Sequence, residues 1–337
     1  MRISRIVLFM AALAVAAPIA GATAAEAATE DLVVSLDGGT LVVTDHDTNS
    51  GYLYVVQDYK LILDSDSGAY SVGPGCRDVD GEIWHPQFEH YDYSYVVCAG
   101  WDNDHVRGNM GEGYDTVDFR DSPGPLTATF DLGTDGDYYY GTDGTDVVHG
   151  GADSDELWGY GGDDELYGDE DGDELHPGTG SDFVDGGNDE WNSDDSVSYA
   201  DVAGPIEVKY TYPSGTAREG GSVDQLRNLE TIFDSPAGDK IVAGGTASTT
   251  VYVYTSGGRD LVTSLGNLWI SSESEKNERD RINIRNVSAG SGSRSGMKDT
   301  LDCCHFPQNI HVDATRIPGN IKRAPGLRNT SLNRVRN

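Results

Sequence analysis

Apolar positions in this chain recur at period two far more often than at helical spacing. After an apolar N-terminal run, Leu32-Val33-Val34-Ser35-Leu36 and Thr40-Leu41-Val42-Val43-Thr44 flank Asp37-Gly38-Gly39, a pattern that predicts a β-hairpin with a short glycine turn. Tyr52-Leu53-Tyr54-Val55-Val56 and Leu61-Ile62-Leu63 are strand-like, and Tyr91, Tyr93, Tyr95 and Val97 alternate, which puts one set of side chains on one face. One segment departs from this: Val223, Leu226, Leu229 and Ile232 stand three apart and predict a single short helix over Val223 to Ile232.

The strongest pattern appears when the chain is aligned with itself at an offset of nine. Four units run head to tail: Gly141 to His149, Gly150 to Trp158, Gly159 to Tyr167 and Gly168 to His176. Pro177 to Asp185 continues the series, and Leu132 to Tyr140 precedes it in weaker form. The sixth residue of every unit is Asp (Asp137, Asp146, Asp155, Asp164, Asp173, Asp182), and the eighth is apolar or aromatic (Tyr139, Val148, Leu157, Leu166, Leu175, Val184). Degenerate copies of the Asp-x-apolar triplet lie outside this array at Asp104, Asp115, Asp195, Asp239, Asp260 and Asp299. A longer repeat relates Asp115–Phe130 to Asp195–Tyr210, each carrying a Gly-Pro step before a strand-like segment.

The nonapeptide resembles that of the hemolysin-type calcium-binding, or RTX, family, G-G-x-G-x-D-x-U-x. Six consecutive units that keep both the Asp and the apolar residue make the resemblance specific, and it thins outward from there. It implies an all-β fold with a parallel β-roll, in which six residues of each unit form a turn and three a short strand. Two units then make one coil, so equivalent residues are 18 apart. It also implies Ca²⁺ as cofactor, held by sixth-position carboxylates paired between coils. Asp146 would pair with Asp164 and Asp164 with Asp182 on one side, and Asp137 with Asp155 and Asp155 with Asp173 on the other. The fourth position is Gly at Gly144, Gly162 and Gly180 but Asp at Asp135, Asp153 and Asp171, so the two sides of the roll carry different turns. Asp tolerates the left-handed conformation better than most residues, and Asp153 and Asp171 add carboxylates to the candidate metal set. The ladder of eighth-position side chains is thin. Burying one Val or Leu contributes roughly 1.5–3 kcal/mol, while ordering one backbone residue costs about 1–2 kcal/mol. A hard cation taking six to eight oxygens would supply what the ladder lacks, and residues 132–200 are expected to fold when it binds.

Charge sharpens this picture. The formal net charge is −34, which disfavours nucleic acid as a partner. Residues 131–195 hold 22 Asp or Glu and no Lys or Arg, so this stretch in particular calls for cations. Residues 1–27 have the form of a signal peptide: Arg2 and Arg5 precede an apolar run from Ile6 to Ala20, shorter than a membrane span needs, followed by small residues at Ala20 to Ala27 that offer several cleavage points. The expected mature chain is secreted, extracellular and without a transmembrane segment. Four cysteines suit an oxidising compartment. Cys76 and Cys98 each abut a strand-like segment and are the expected bridge, while adjacent Cys303 and Cys304 leave a strained ring, an interchain pair or free thiols all open. The end of the chain reverses sign, with six Lys or Arg against one Asp from His305 onward.

Catalytic signatures are scarce. No H-E-x-x-H or G-x-S-x-G motif occurs, Gly292-Ser293-Arg294-Ser295-Gly296 reads as a flexible loop, and the histidines are scattered. Tyr138, Tyr140, Trp158, Tyr160 and Tyr167 cluster within the repeats and offer a possible polysaccharide- or surface-binding face, although strand packing explains such residues equally well. The expected organisation is a signal peptide (1–27), a β-rich N-terminal region (28–107), an RTX β-roll (108–200), a degenerate solenoid-like β region (201–302) and a basic, flexible tail (303–337). Two functions fit. The first is a non-catalytic extracellular calcium-binding protein, structural or adhesive, and the second is a secreted hydrolase that carries the roll as a stabilising module.

Overall fold

The computed structural model describes residues 32–45, 50–56, 60–65, 70–85, 90–102, 104–187, 194–246, 248–265 and 268–272, together with strands at Arg281–Ile284, Thr300–Cys303, His311–Ala314, Lys322–Arg323 and Ser331–Arg334. The expected signal peptide, Cys304, the Gly292–Gly296 loop and most of the basic tail lie outside these residues. Every regular element among the described residues is a β-strand. The chain divides into two compact units, Met1–Leu157 and Trp158–Asn337.

The first unit begins with the expected hairpin. Leu32–Asp37 pairs antiparallel with Thr40–Asp45, and Gly38 and Gly39 turn the chain at φ 60° and 101°. Thr40–Asp45 then pairs in parallel with His105–Asn109, which is followed in the sheet by Thr127–Thr134 and Asp146–Ala152. A second sheet starts from the antiparallel pair Cys76–His85 and His90–Cys98, continues through Lys60–Ser65 and Gly51–Val56, and becomes parallel at Thr116–Asp118 and Tyr138–Tyr140. Cys76 and Cys98 face each other in register and are joined by the expected disulfide.

Parallel register stacks like residues. In the first unit Leu53, Val117 and Tyr139 form one fully buried column, and Phe130 and Val148 belong to another. Gly108 precedes Phe130 in that column, and the ring lies where a Cβ of Gly108 would stand. Phe119, Phe130 and Tyr139 pack with ring centroids 5.7–6.0 Å apart, so this end of the roll has an aromatic core thicker than an aliphatic ladder.

The second unit repeats the plan. Leu166, Val184 and Leu226 form one column, and Leu175, Val197, Ile232, Val253 and Ile270 another, all 0–4 % exposed. All six eighth-position residues of the repeat are fully buried. The expected helix at Val223 to Ile232 is not formed: Ser222–Arg227 and Thr231–Phe233 are strands in different sheets. The spacing of three that suggested it is that of two inward residues, Leu226 and Ile232, separated by a turn in which Asn228 has φ 50° and Leu229 is buried. Before that turn the regular coil is interrupted, because Ser214–Glu219 runs antiparallel between Glu207–Thr211 and Ser222–Arg227.

The longer repeat also has a structural counterpart. In each copy the chain leaves one sheet, makes a turn closed by Ser122 N–H to Phe119 O (2.9 Å) or Val202 N–H to Tyr199 O (3.0 Å), and re-enters the other sheet. Phe119, Leu126 and Phe130 in the first copy correspond to Tyr199, Ile206 and Tyr210 in the second, all 0–2 % exposed.

Stacked turns approach closely enough to require glycine. Gly151 has φ 119°, and a Cβ there would collide with the Gly133 carbonyl of the preceding coil. Gly151→Ala is therefore expected to lower stability by at least about 1–3 kcal/mol, whereas Gly221→Ala, with open space around it, should stay within about 0.5 kcal/mol of the parent chain. Thermal melts in calcium compare the two directly.

Candidate metal centre

Each turn of the roll ends on an Asp that continues into an inward-facing strand, so the carboxylate is carried under the turn and out of water. Asp137, Asp146, Asp155, Asp164, Asp173 and Asp182 are all 0–3 % exposed. Burial at that level is costly for a charged group unless partners replace its water.

One oxygen of the carboxylate is used by the neighbouring coil. In the first unit Gly51 N–H donates to Asp115 Oδ1 (2.5 Å), Asp115 N–H to Asp137 Oδ1 (2.7 Å), and Asp137 N–H to Asp155 Oδ1 (2.7 Å). In the second unit Asp164 N–H donates to Asp182 Oδ1 (2.9 Å) and Asp182 N–H to Asp224 Oδ1 (3.2 Å). On its other side Asp173 N–H donates to Asp195 Oδ1 (3.0 Å) and Asp195 N–H to Glu230 Oε2 (3.2 Å). The expected pairs Asp137/Asp155 and Asp164/Asp182 are thus brought together. The expected pairs Asp146/Asp164 and Asp155/Asp173 join residues of the two units and remain expectations of the repeat.

The second oxygen defines the candidate site. Oδ2 of Asp137 and Oδ2 of Asp182 are buried with no hydrogen-bond partner. Nearby oxygens converge in the same way at Gly159, Gly168 and Gly186, each of which opens a unit. A Cβ on Gly159 would stand 2.5 Å from Asp164 Oδ2 and 2.8 Å from the Pro177 carbonyl. One on Gly168 would meet Asp173 Oδ2 and the Gly186 carbonyl, and one on Gly186 would meet Asp195 Oδ2 and the Asn228 carbonyl. Glycine leaves these pockets of oxygen clear of carbon, and every donor in them is hard, which is the chemistry Ca²⁺ takes.

The fourth positions behave as the sequence suggests. Asp135, Asp153 and Asp171 adopt φ 74°, 71° and 69°, the left-handed conformation, while Gly162 and Gly180 take φ 132° and 156°. Gly144 is required for space, because a Cβ would collide with the Leu126 carbonyl. Asp135 Oδ2 accepts from Gly113 N–H (3.2 Å), and Asp153 and Asp171 are exposed. Asp146 is also distinct, since Thr142 N–H donates to its Oδ2 (2.9 Å) and the Thr142 hydroxyl binds the Leu126 carbonyl (2.8 Å) and accepts from Gly144 N–H (2.7 Å).

Two members of these columns, Asp115 and Asp195, carry the Asp-x-apolar triplet in the sequence. Asp224 does too, through Asp224-Gln225-Leu226, but the three-residue apolar spacing masked it. Tyr199 donates its hydroxyl to Asp224 Oδ2 (2.9 Å). No motif announces Glu230.

Crowding and burial set the electrostatics. Desolvation, followed by the neighbouring carboxylates Asp155 and Asp135, pushes Asp137 up to about 8 despite the amide of Asp115. Desolvation likewise pushes Asp146 and Asp182 up to about 7 and Asp224 to about 6, Asp224 adding to the effect on Asp182. These acids favour protons, or another cation in their place.

The fold and its turns define a class, a parallel β-roll with stacked acidic turns and carboxylates buried between coils. Residues 140–175 match the RTX calcium-binding nonapeptide repeat model in four copies, so this chain carries the hemolysin-type repeat. Comparisons with curated proteins and with solved structures give no match.

An Asp whose pKa is raised on folding stabilises the fold fully below its unfolded value of 3.8 and loses that contribution as pH rises through the folded value. In chelator the melting temperature should therefore fall between pH 5 and pH 8. In saturating Ca²⁺ the fall should vanish or reverse, because the metal replaces the protons. A metal-free melting temperature that rises over this interval contradicts the assignment of these carboxylates.

Proposed function

We propose that this chain is an extracellular calcium-binding protein whose roll, centred on residues 108–200, folds as Ca²⁺ binds and serves a structural or adhesive role at or near a cell surface. What supports this most is the pair of buried oxygens without partners, Asp137 Oδ2 and Asp182 Oδ2, set in columns of carboxylates whose other oxygens are already used by backbone amides. A protein that folded without metal would have to protonate these groups or leave them uncompensated in its interior.

Asp137, Asp155, Asp164, Asp173 and Asp182 would hold the ions through Oδ2, helped by carbonyls that converge on the unit-opening glycines. Asp146 would contribute beside its Thr142 clamp. Gly144, Gly162 and Gly180 shape the turns on one side, and Asp153 and Asp171 shape those on the other while adding negative charge at the rim. The metal supplies charge neutralisation and cross-linking between coils. Its binding free energy then adds to folding free energy, growing with the logarithm of the calcium concentration above Kd. Export fits the apolar leader in the sequence, and the Cys76–Cys98 disulfide fits an oxidising compartment.

Circular dichroism of the whole chain tests the reading. Calcium added to chelated protein should increase β signal and raise the melting temperature, with a steep concentration dependence. Asp182→Asn keeps an oxygen for the Asp164 amide but removes the charge, and should weaken calcium-induced folding by at least about tenfold in midpoint concentration. A β signal that is complete in chelator, or an unchanged midpoint in this variant, would refute the proposal.

A further inference from the structure

A second kind of acidic site lies far from the matched repeats. Asp234, Asp239 and Asp260 each offer a carboxylate oxygen, and the three oxygens lie within 4.8 Å of one another. All three residues are 1–2 % exposed. Asp234 follows the strand Thr231–Phe233, whereas Asp239 and Asp260 lead into Lys240–Gly244 and Leu261–Ser264, strands of the other sheet that pair in parallel.

The residues around the cluster form two stacked turns, Ser235 to Asp239 and Ser256 to Asp260. Asp239 N–H donates to Asp260 Oδ1 (2.9 Å), the same contact that joins coils in the roll. Ser256 donates to Asp234 Oδ1 through its amide (2.7 Å) and hydroxyl (2.9 Å), and Ser235 donates to the Asp239 carboxylate through its amide (3.0 Å) and hydroxyl (2.9 Å). These bonds fix the position of the cluster.

In the units Asp234 to Val242 and Thr255 to Thr263, the first position holds Asp234 and Thr255, where the repeat has glycine. In the roll, a Cβ at the first position, as built on Gly159 and Gly168, comes up against the sixth-position carboxylate of the same unit. Asp234 stands at that position and clusters with Asp239, the sixth residue of its unit; by the same geometry Thr255, first residue of its own unit, is directed towards Asp260, without a hydrogen bond to it. Thr255 is 3 % exposed, and its hydroxyl has no hydrogen-bond partner. Phe233 pairs in register with Tyr254 and Asp234 N–H donates to the Tyr254 carbonyl (3.0 Å), which places Asp234, just past its strand, beside Thr255 at one strand spacing, about 4.8 Å. Three clustered carboxylates thus have a buried, unpartnered hydroxyl beside them, where the repeats of the roll have glycine.

We propose that Asp234, Asp239, Asp260 and Thr255 form a separate binding site for a hard divalent cation, Ca²⁺, with a donor set unlike that of the nonapeptide turns. A side-chain hydroxyl and a third carboxylate replace backbone carbonyls as ligands. The extra negative charge favours the doubly charged ion, and the all-oxygen donor set selects against softer metals. The site stands on residues that the roll does not use, so it stands or falls independently of the calcium assignment there.

Native mass spectrometry of the whole chain in CaCl₂ counts the ions directly. Asp234→Asn retains Oδ1 for the Ser256 amide and should bind one ion fewer than the parent at saturation, with an unchanged circular dichroism spectrum. Thr255→Val removes only the hydroxyl and should keep the count while weakening one class of site by at least about tenfold in calorimetric titration. Should Asp234→Asn fail to fold, the Thr255→Val titration decides alone. A parental ion count in folded Asp234→Asn, or a parental isotherm in Thr255→Val, overturns the proposal. Asp182→Asn serves as the parallel control, since a change there reports on the roll and leaves this site intact.

Discussion

The constraint on which the rest depends is that parallel coils place side chains of like character on top of one another. For an apolar residue this is favourable, and columns such as Leu53, Val117 and Tyr139 or Leu166, Val184 and Leu226 are the outcome. For an aspartate it is not, because each added coil brings another negative charge into a buried stack. The backbone relieves half of the difficulty where one oxygen of a carboxylate takes an amide from the coil before, as Asp155 does from Asp137. The other half requires a cation or a proton, and the elevated pKa values of Asp137, Asp146, Asp182 and Asp224 express the same requirement.

The periphery is built differently from the roll. At the N-terminal side the strands turn antiparallel, with the Leu32–Asp37 hairpin and the disulfide-linked Cys76–His85 and His90–Cys98 pair. Antiparallel strands close their hydrogen bonds through tight turns. In the aromatic cluster of Phe119, Phe130 and Tyr139, apolar burial takes over work that elsewhere falls to the metal. Hydroxyl clamps do something similar at Asp146 and Asp239, where Thr142 and Ser235 occupy the same place in the turn and bind the same carboxylate. Calcium dependence is therefore expected to be strongest where glycine opens the unit and no hydroxyl clamp is present.

Much of this was legible in the sequence because strict spacing leaves a strict trace. The sixth-position aspartates and eighth-position apolar residues fixed both the buried columns and the buried acids, and the alternation of Gly and Asp at the fourth position corresponds to real left-handed turns at Asp135, Asp153 and Asp171. The errors arose where the period broke. Leu226 and Ile232 look helical because a turn of irregular length separates two strands, and Asp224 was overlooked for the same reason. Glu230 enters an acidic column from outside any motif, by a register that only the folded chain establishes. Asp234 was equally hidden, since its importance lies in standing where the repeat has glycine, and an isolated Asp before Ser-Pro gives no hint of the carboxylates it meets.

Backbone hydrogen exchange with and without calcium addresses the central claim most directly, because the amides of Asp115, Asp137, Asp164 and Asp182 are those that bond between coils. The account predicts that these amides are strongly protected in Ca²⁺ and exchange at nearly the rate of an unfolded chain in chelator at neutral pH. Equal protection in both conditions would show that the stacked carboxylates hold together without a cation, and would contradict it.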